Sequence, residues 1–389
     1  MNRWHIITCE YPPQIGGVSD YTRLLAAELR HAGDEVEVWA PALGSDKQEH
    51  LHRTLGAFDP ADLHATDEAL DQFPAPRKLL VQWVPHGYGR RGINLGFCRW
   101  IAARAGRGDR VHLMVHEPYL EPAQPSWKLR FASLVQRRMI RTLLHASHRV
   151  FISIPAWEHY LRPYTPPPMR FEWLPIPATV PVVADAKAST EVRTQLGKDA
   201  LVLGHLGTYS AEMTHILQPA ITKVLRDAPN SVALLLGNNG DAYAASLKSD
   251  SPDLAARLQG PGRLDNAVLS HYISACDLML QPFPDGLSSR RTSLMNVLSH
   301  GVAVVSNVGH LTESLWAESN SVALASTSEP TQLAALCEKL LRDHETRAAL
   351  AQAGLTLYRS RFDWPAIIST LRSSVNSPLS TAARSSSNQ

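Results

Sequence analysis

Short apolar runs alternate along the chain with stretches whose apolar positions recur every three or four residues, and Gly or Pro punctuates most of the changes. This pattern predicts helices layered on parallel strands, an α/β chain. Residues 4–8 read as a first strand and 11–17 as a loop. A helix follows from about Ser19, with Leu24, Leu25 and Leu29 on one face and Gly33 as its stop. Residues 35–39 alternate as a second strand, completing a βαβ start. Strands at 78–84, 110–115 and 149–154, with a basic helix over 127–144, continue the series. Pro155, Pro163, Pro166, Pro167, Pro168, Pro175, Pro177 and Pro181 then interrupt regular structure, and a stiff connection is expected near 175–190.

A second series has strands at 201–207, 231–237, 278–280 and 302–305. Its helices fall around 217–225, from His271, and up to about His300. Helices over 333–341 and 347–358 follow, and the Ser-rich stretch 377–389 is expected to be disordered. The simplest fold is two tandem Rossmann-like, doubly wound α/β domains.

Composition narrows the function without naming it. The chain has 389 residues, 44% hydrophobic and 19% charged, ordinary values for a folded globular protein. Lys and Arg number 38 against 36 Asp and Glu, a net charge of +2, so no global field marks a nucleic-acid binder. Cys9, Cys98, Cys276 and Cys337 are scattered without metal-ligand spacing and read as reduced thiols. No metal site is expected. The first apolar run is cut short by Glu10, and no window approaches the ~20 apolar residues of a membrane span. A cytoplasmic location is the expectation.

In open α/β sheets the loops beyond the carboxyl ends of strands carry ligands. Four such loops hold suitable chemistry. Gly16 and Gly17 precede a helix, where a backbone can approach a ligand. His116, in Val115-His116-Glu117, stands at a strand end and suits a sugar hydroxyl. Gly207 and Thr208 follow the strand at 201–207, without the spacing of a dinucleotide fingerprint. Asp285, Ser288, Ser289, Arg290, Arg291, Thr292 and Asn296 surround the start of a helix. There Ser288 or Ser289 would cap the helix, and two arginines in its first turn make sense if a diphosphate offsets them.

The series Glu10-Tyr11-Pro12-Pro13, Gly16-Gly17-Val18 and Tyr21, then Val115-His116-Glu117, then Cys276-Asp277-Leu278, Gly286, Asn296 and residues 300–305, resembles the family-4 retaining glycosyltransferases of the GT-B fold. The resemblance runs from residue 1 to about 375, and Arg361-Phe362-Asp363-Trp364 looks like the start of the helix that crosses back onto the first domain. It implies domains at 1–178, with a crossover helix at 362–376, and at 179–361, facing across a cleft. The second would hold a nucleotide-sugar donor and the first a hydroxyl-bearing acceptor, with retention, no cofactor and no obligatory metal. Gly16, Gly17, Gly207, Thr208, Asp285, Ser288, Ser289, Thr292 and Asn296 would meet the donor, and His116 the transferred sugar. Arg290 and Arg291 would stabilise the leaving diphosphate.

The chain departs from that family where two glutamates are usual, having Ser288 and Asn296, and it lacks the usual Arg and Lys after Gly207. The arginine pair reads as a relocation of that positive charge. Tyr21, His86, Tyr88 and Tyr119 are the candidate acceptor contacts. The basic helix, with no acid between Trp127 and Arg149, reads first as a solvated face, peripheral membrane contact being less favoured. The alternative to an enzyme is a GT-B protein that binds a nucleotide or partner and no longer transfers. An epimerase or phosphorylase ranks last.

Overall fold

The structure, a computed structural model, describes residues 1–41, 48–121 and 126–373. The stretch 377–389, expected to be disordered, lies outside the described residues. Strands β1 (Arg3–Ile7), β2 (Glu35–Trp39), β3 (Leu51–His52), β4 (Lys78–Trp83), β5 (Arg110–Val115), β6 (Arg149–Ile152) and β7 (Phe171–Trp173) form one parallel sheet, in the order β3-β2-β1-β4-β5-β6-β7. Strands β8 (Leu201–Leu206), β9 (Ser231–Leu236), β10 (Leu258–Gly262), β11 (Leu278–Leu280), β12 (Ala303–Asn307) and β13 (Ala323–Ala325) form a second, in the order β10-β9-β8-β11-β12-β13. Chain order reverses between β1 and β4 in one sheet and between β8 and β11 in the other, which opens a crevice at the carboxyl edge of each.

Parallel sheets must bury both faces, and these strands have side chains to do so. On one face of the first sheet Ile7, Trp39, Val81, Val111 and Leu113 pack with Phe97, Ile101, Ile140 and Leu143 from two helices. On the other, Trp4, Ile6, Leu80, Met114 and Phe151 meet Tyr21, Leu25 and Leu29 of the helix Gly17–His31. The second sheet is covered in the same way by two further clusters. In the ladder from Lys78↔Arg110 to Trp83↔Val115, β4 and β5 end level, so their following loops leave side by side.

The chain passes between the halves twice. Leu174 and Ile176 pack in the first half's core, whereas Ala178 and Val180 pack in the second's. On the return, Tyr358 and Phe362 belong to the second half, and Ile367, Ile368 and Leu371 of the helix Trp364–Arg372 pack under the first sheet. Arg149 holds the end of that helix: its Nη1 donates to the carbonyls of Leu371 at 3.1 Å and Ser373 at 2.9 Å, while Glu172 balances its charge.

The strands anticipated from apolar runs are present, with ends shifted by one or two residues. Periodicity alone does not mark β3, β7, β10 or β13, nor the helices Pro60–Leu70, Leu95–Gly106, Ala186–Leu196 and Gly240–Asp250. The residues of β10, Leu-Gln-Gly-Pro-Gly, contain no apolar run because it is an edge strand, where proline and glycine are tolerated. Among the described residues no helix is long and apolar enough to cross a membrane.

Packing of the crossover helix sets a measurable cost. Leu371 is 1% exposed, so Leu371→Ala should cost about 2–4 kcal/mol of unfolding free energy, measured by urea titration. Burial also pushes five histidines down: His5, His116 and His205 to about 4, His112, with Arg149 adding to the effect, to about 3, and His300 below its ordinary value. An unfolded histidine protonates near ~6.5, so as pH falls the unfolded chain takes up these protons first. Stability is therefore full above that value and declines toward pH 4. His5, His112, His116 and His205 should each remove about 2 kcal/mol by pH 5, and His205→Leu should flatten the slope of the urea midpoint against pH between about pH 6.5 and 4.

Candidate active site

A cavity of about 320 Å³ opens where the first sheet's carboxyl edge faces the loop before the second half's helix Thr292–Ser299. Loops after β1, β4, β5 and β6 contribute Glu10, His86, His116, Glu117 and Ser153, while Arg290 and Thr292 come from the opposite side.

Gly16 and Gly17 form the floor at the start of the helix Gly17–His31. A Cβ on Gly16 would lie 2.2 Å from the Glu10 carboxylate, whose Oε1 accepts the Ser19 amide at 2.9 Å. A side chain at this position would displace the acid seated on the helix N-terminus. Gly17 has open space where a side chain would be.

His116 is fixed on several sides. Its Nε2 lies 2.8 Å from Gln82 Oε1, its ring meets Tyr21 edge-on at 5.1 Å, and its carbonyl accepts from Ser153 Oγ and Trp157 Nε1, both at 2.9 Å. Burial keeps the imidazole neutral at neutral pH, so it acts as a hydrogen-bonding group and not as a cation. Tyr21 is 1% exposed, stacked on Trp364, and its hydroxyl has no partner among the described residues.

Across the cavity, Arg290 Nη1 bonds Glu117 Oε1 at 2.8 Å, and both Arg290 and Arg291 grip Asp285. Arg290 also lies over the Trp157 ring and Arg291 over Phe283. Burial would raise the Asp285 carboxyl, but Arg291 and Arg290 outweigh it and hold it below the usual carboxylate range. Next to them, Ser289 Oγ donates to Glu313 Oε1 at 2.5 Å, and the Ser289 amide donates to the same oxygen at 2.9 Å. Trp316 Nε1 donates to the other carboxylate oxygen at 2.7 Å. Burial pushes Glu313 up, opposed by the Ser289 bonds.

Several expected placements need correction. The helix begins at Thr292 with Arg291 as its N-cap residue and no capping side chain, so neither Ser288 nor Ser289 caps it and the arginines precede its first turn. Ser288 and Ser289 are both buried, the latter joining the two halves. Asn296 Oδ1 accepts the amides of Thr179 at 2.8 Å and Val180 at 3.0 Å, which ties the helix to the interdomain connection and leaves that oxygen occupied. Tyr88 is wholly buried between Trp83 and Phe97, with its hydroxyl on the Gln82 carbonyl, and offers no surface to an acceptor. Tyr119 turns its hydroxyl to the Tyr160 carbonyl. Gly207 and Thr208 follow β8 and do not line this cavity.

The cavity brings together Gly16, Gly17, Tyr21, His86, His116, Arg290 and Thr292. Reading the chain assigns no role to Glu10, Glu117, Ser153 or Glu313. An acid after β5 beside His116 is a usable signal for Glu117, whereas nothing local to Glu313 announces its contact with Ser289.

No family model matches the chain. It is 23% identical over 381 residues to a phosphatidyl-myo-inositol mannosyltransferase of Mycolicibacterium smegmatis, covering 93% of this chain and 90% of that protein. Among solved structures it resembles sucrose-phosphate synthase from Thermosynechococcus elongatus, with a TM-score of 0.71, 15% identity, and coverage of 95% of this chain and 97% of that one. It also resembles Anabaena Alr3699/HepE, solved in complex with UDP and glucose, with a TM-score of 0.69, 16% identity, and coverage of 95% and 98%. With its two parallel sheets and intervening cavity, the chain has the GT-B fold shared by these glycosyltransferases.

Proposed function

We propose that this protein is a glycosyltransferase that moves a sugar from a nucleoside-diphosphate donor to a hydroxyl acceptor, with retention and without an obligatory metal. The observation that carries the reading is the juxtaposition of Arg290 and an uncapped helix start at Thr292 with His116 of the other half across one cavity. Free amides at a helix start and a guanidinium pair suit a diphosphate. One structural neighbour was solved with UDP and glucose, and the relative in Mycolicibacterium smegmatis is a mannosyltransferase, both of which agree with this class of donor.

On this reading the diphosphate takes over guanidinium N–H groups now held by Asp285 and Glu117. The positive charge then offsets the negative charge that develops on the leaving phosphate as the glycosidic bond breaks. The neutral imidazole of His116 would bond a hydroxyl of the transferred sugar, its other nitrogen held by Gln82. Front-face attack lets the departing phosphate oxygen accept the acceptor's proton, which accounts for retention without a carboxylate nucleophile.

A second reading, binding without transfer, is favoured by the burial of Ser288 and the hydrogen bonds that occupy Asn296 Oδ1, where the resembled family carries glutamates. One experiment separates the two. A panel of sugar nucleotides should raise the melting temperature, and at least one should be hydrolysed or used for transfer. Arg290→Ala with Arg291→Ala should lower turnover at least ~100-fold while the protein stays folded. A melting shift without turnover supports the binder, and unimpaired turnover by the double variant removes the arginines from the mechanism.

A further inference from the structure

We propose that the helix Trp127–Ala146 docks the protein onto an anionic lipid bilayer. Its inner side, including Gln136, Met139, Ile140, Leu143 and Leu144, is buried in the first half. Its outer side carries Trp127, Phe131 and Leu134, exposed by 72, 57 and 59%, and Leu129, at the uncovered start of the inner stripe, is 40% exposed. These are four of the nine large hydrophobic side chains standing exposed among the described residues, and they fall within its first two turns. Isolated apolar side chains on a surface need no explanation, but a cluster of this kind does.

The charge around the cluster selects the partner. Lys128, Arg130, Arg137, Arg138 and Arg141 lie on the same helix, which contains no acid. No ion pair closes on Lys128, Arg138 or Arg141 among the described residues. Arg138, Arg141 and His145 line one wall of an open groove of about 690 Å³, faced by Ala102, Ala105 and Gly106 of the helix Leu95–Gly106. An aromatic and aliphatic tip next to cations without acidic partners matches the two layers of a bilayer surface: the tip enters the acyl boundary while guanidinium groups meet lipid phosphates. A protein partner would need acids of its own opposite these cations, whereas a bilayer supplies both layers at once.

The helix is also mechanically joined to the cavity. Leu120, a few residues beyond His116, donates its amide to Gln136 Oε1 at 2.9 Å and accepts Ser133 Oγ at 2.6 Å. Gln136 Nε2 reaches the Pro85 carbonyl beside His86 at 3.3 Å. Seating the helix therefore places both cavity loops close to the lipid surface. The proposal goes beyond the reaction proposed above and is read without turnover.

The test is co-sedimentation of the full chain with vesicles of phosphatidylcholine alone or with about 30% phosphatidylglycerol. Binding should be at least ~10-fold tighter to the anionic vesicles and should weaken with salt. Trp127→Ser with Phe131→Ser, and separately Arg138→Glu with Arg141→Glu, should each weaken it about 10-fold or more. The melting temperature should not move, because these side chains face solvent. Absence of binding, equal binding to both vesicles, or variants that bind like the parent would overturn the proposal. So would self-association abolished by the same substitutions without vesicle binding, which would make the face a contact with a second copy.

Discussion

Ser289 is the point on which the cavity's geometry depends. Its hydroxyl donates to Glu313 and lies 3.2 Å from both the Ser153 carbonyl of the first half and Trp173 Nε1, while its own carbonyl accepts the Ile176 amide. Burying Glu313 is costly unless its oxygens are satisfied, and the Ser289 amide, the Ser289 hydroxyl and Trp316 supply three donors. The loop before Thr292–Ser299 is therefore locked from below by a carboxylate and laterally by the other half. Arg290 faces Glu117 and His116 because the preceding residue cannot move independently of Ser153.

The charges in the cavity are balanced in an unequal way. Asp285 belongs to the same loop as Arg290 and Arg291, so it travels with them whatever the two halves do. Glu117 belongs to the other half, and its bond to Arg290 is broken by any separation of the two. On the proposed function, a phosphate entering the cavity would compete with one partner that a separation of the halves would remove and one that it would not. Removal of a guanidinium from this cluster would leave the partly buried Asp285 with a smaller share of its compensation, so charge and structure are coupled here.

Much of the fold is legible because a parallel sheet buried on both faces writes itself as apolar runs, and β1, β4, β5, β8, β9 and β12 all read that way. Edge elements such as β3 and β10 do not, since they need neither apolar length nor alternation. In the cavity, Gly16, Gly17, His116 and Arg290 can be picked out from their positions at strand ends and beside a helix start. Burial is harder to foresee. Tyr88 and Asn296 carry polar groups suited to ligands, but Tyr88 completes an aromatic stack and Asn296 caps backbone amides, contacts made by residues distant in sequence. Glu313 is invisible for the same reason.

The net charge of +2 conceals two opposite arrangements of arginine. Arg290, which lines the cavity, and Arg291 beside it are mostly buried, held over aromatic rings and neutralised by acids, so their field is short-ranged and a ligand must match their geometry to displace a carboxylate. On the helix Trp127–Ala146, Arg138 and Arg141 are exposed with no acidic partner among the described residues, and their field reaches into solvent over about a Debye length, ~8–10 Å at moderate salt. On the readings proposed above, the first arrangement would discriminate among small anions, and the second would attract an extended anionic surface with little regard to detail. Leu120 and Gln136 join the two, so whatever orients that helix also orients the loop bearing His116.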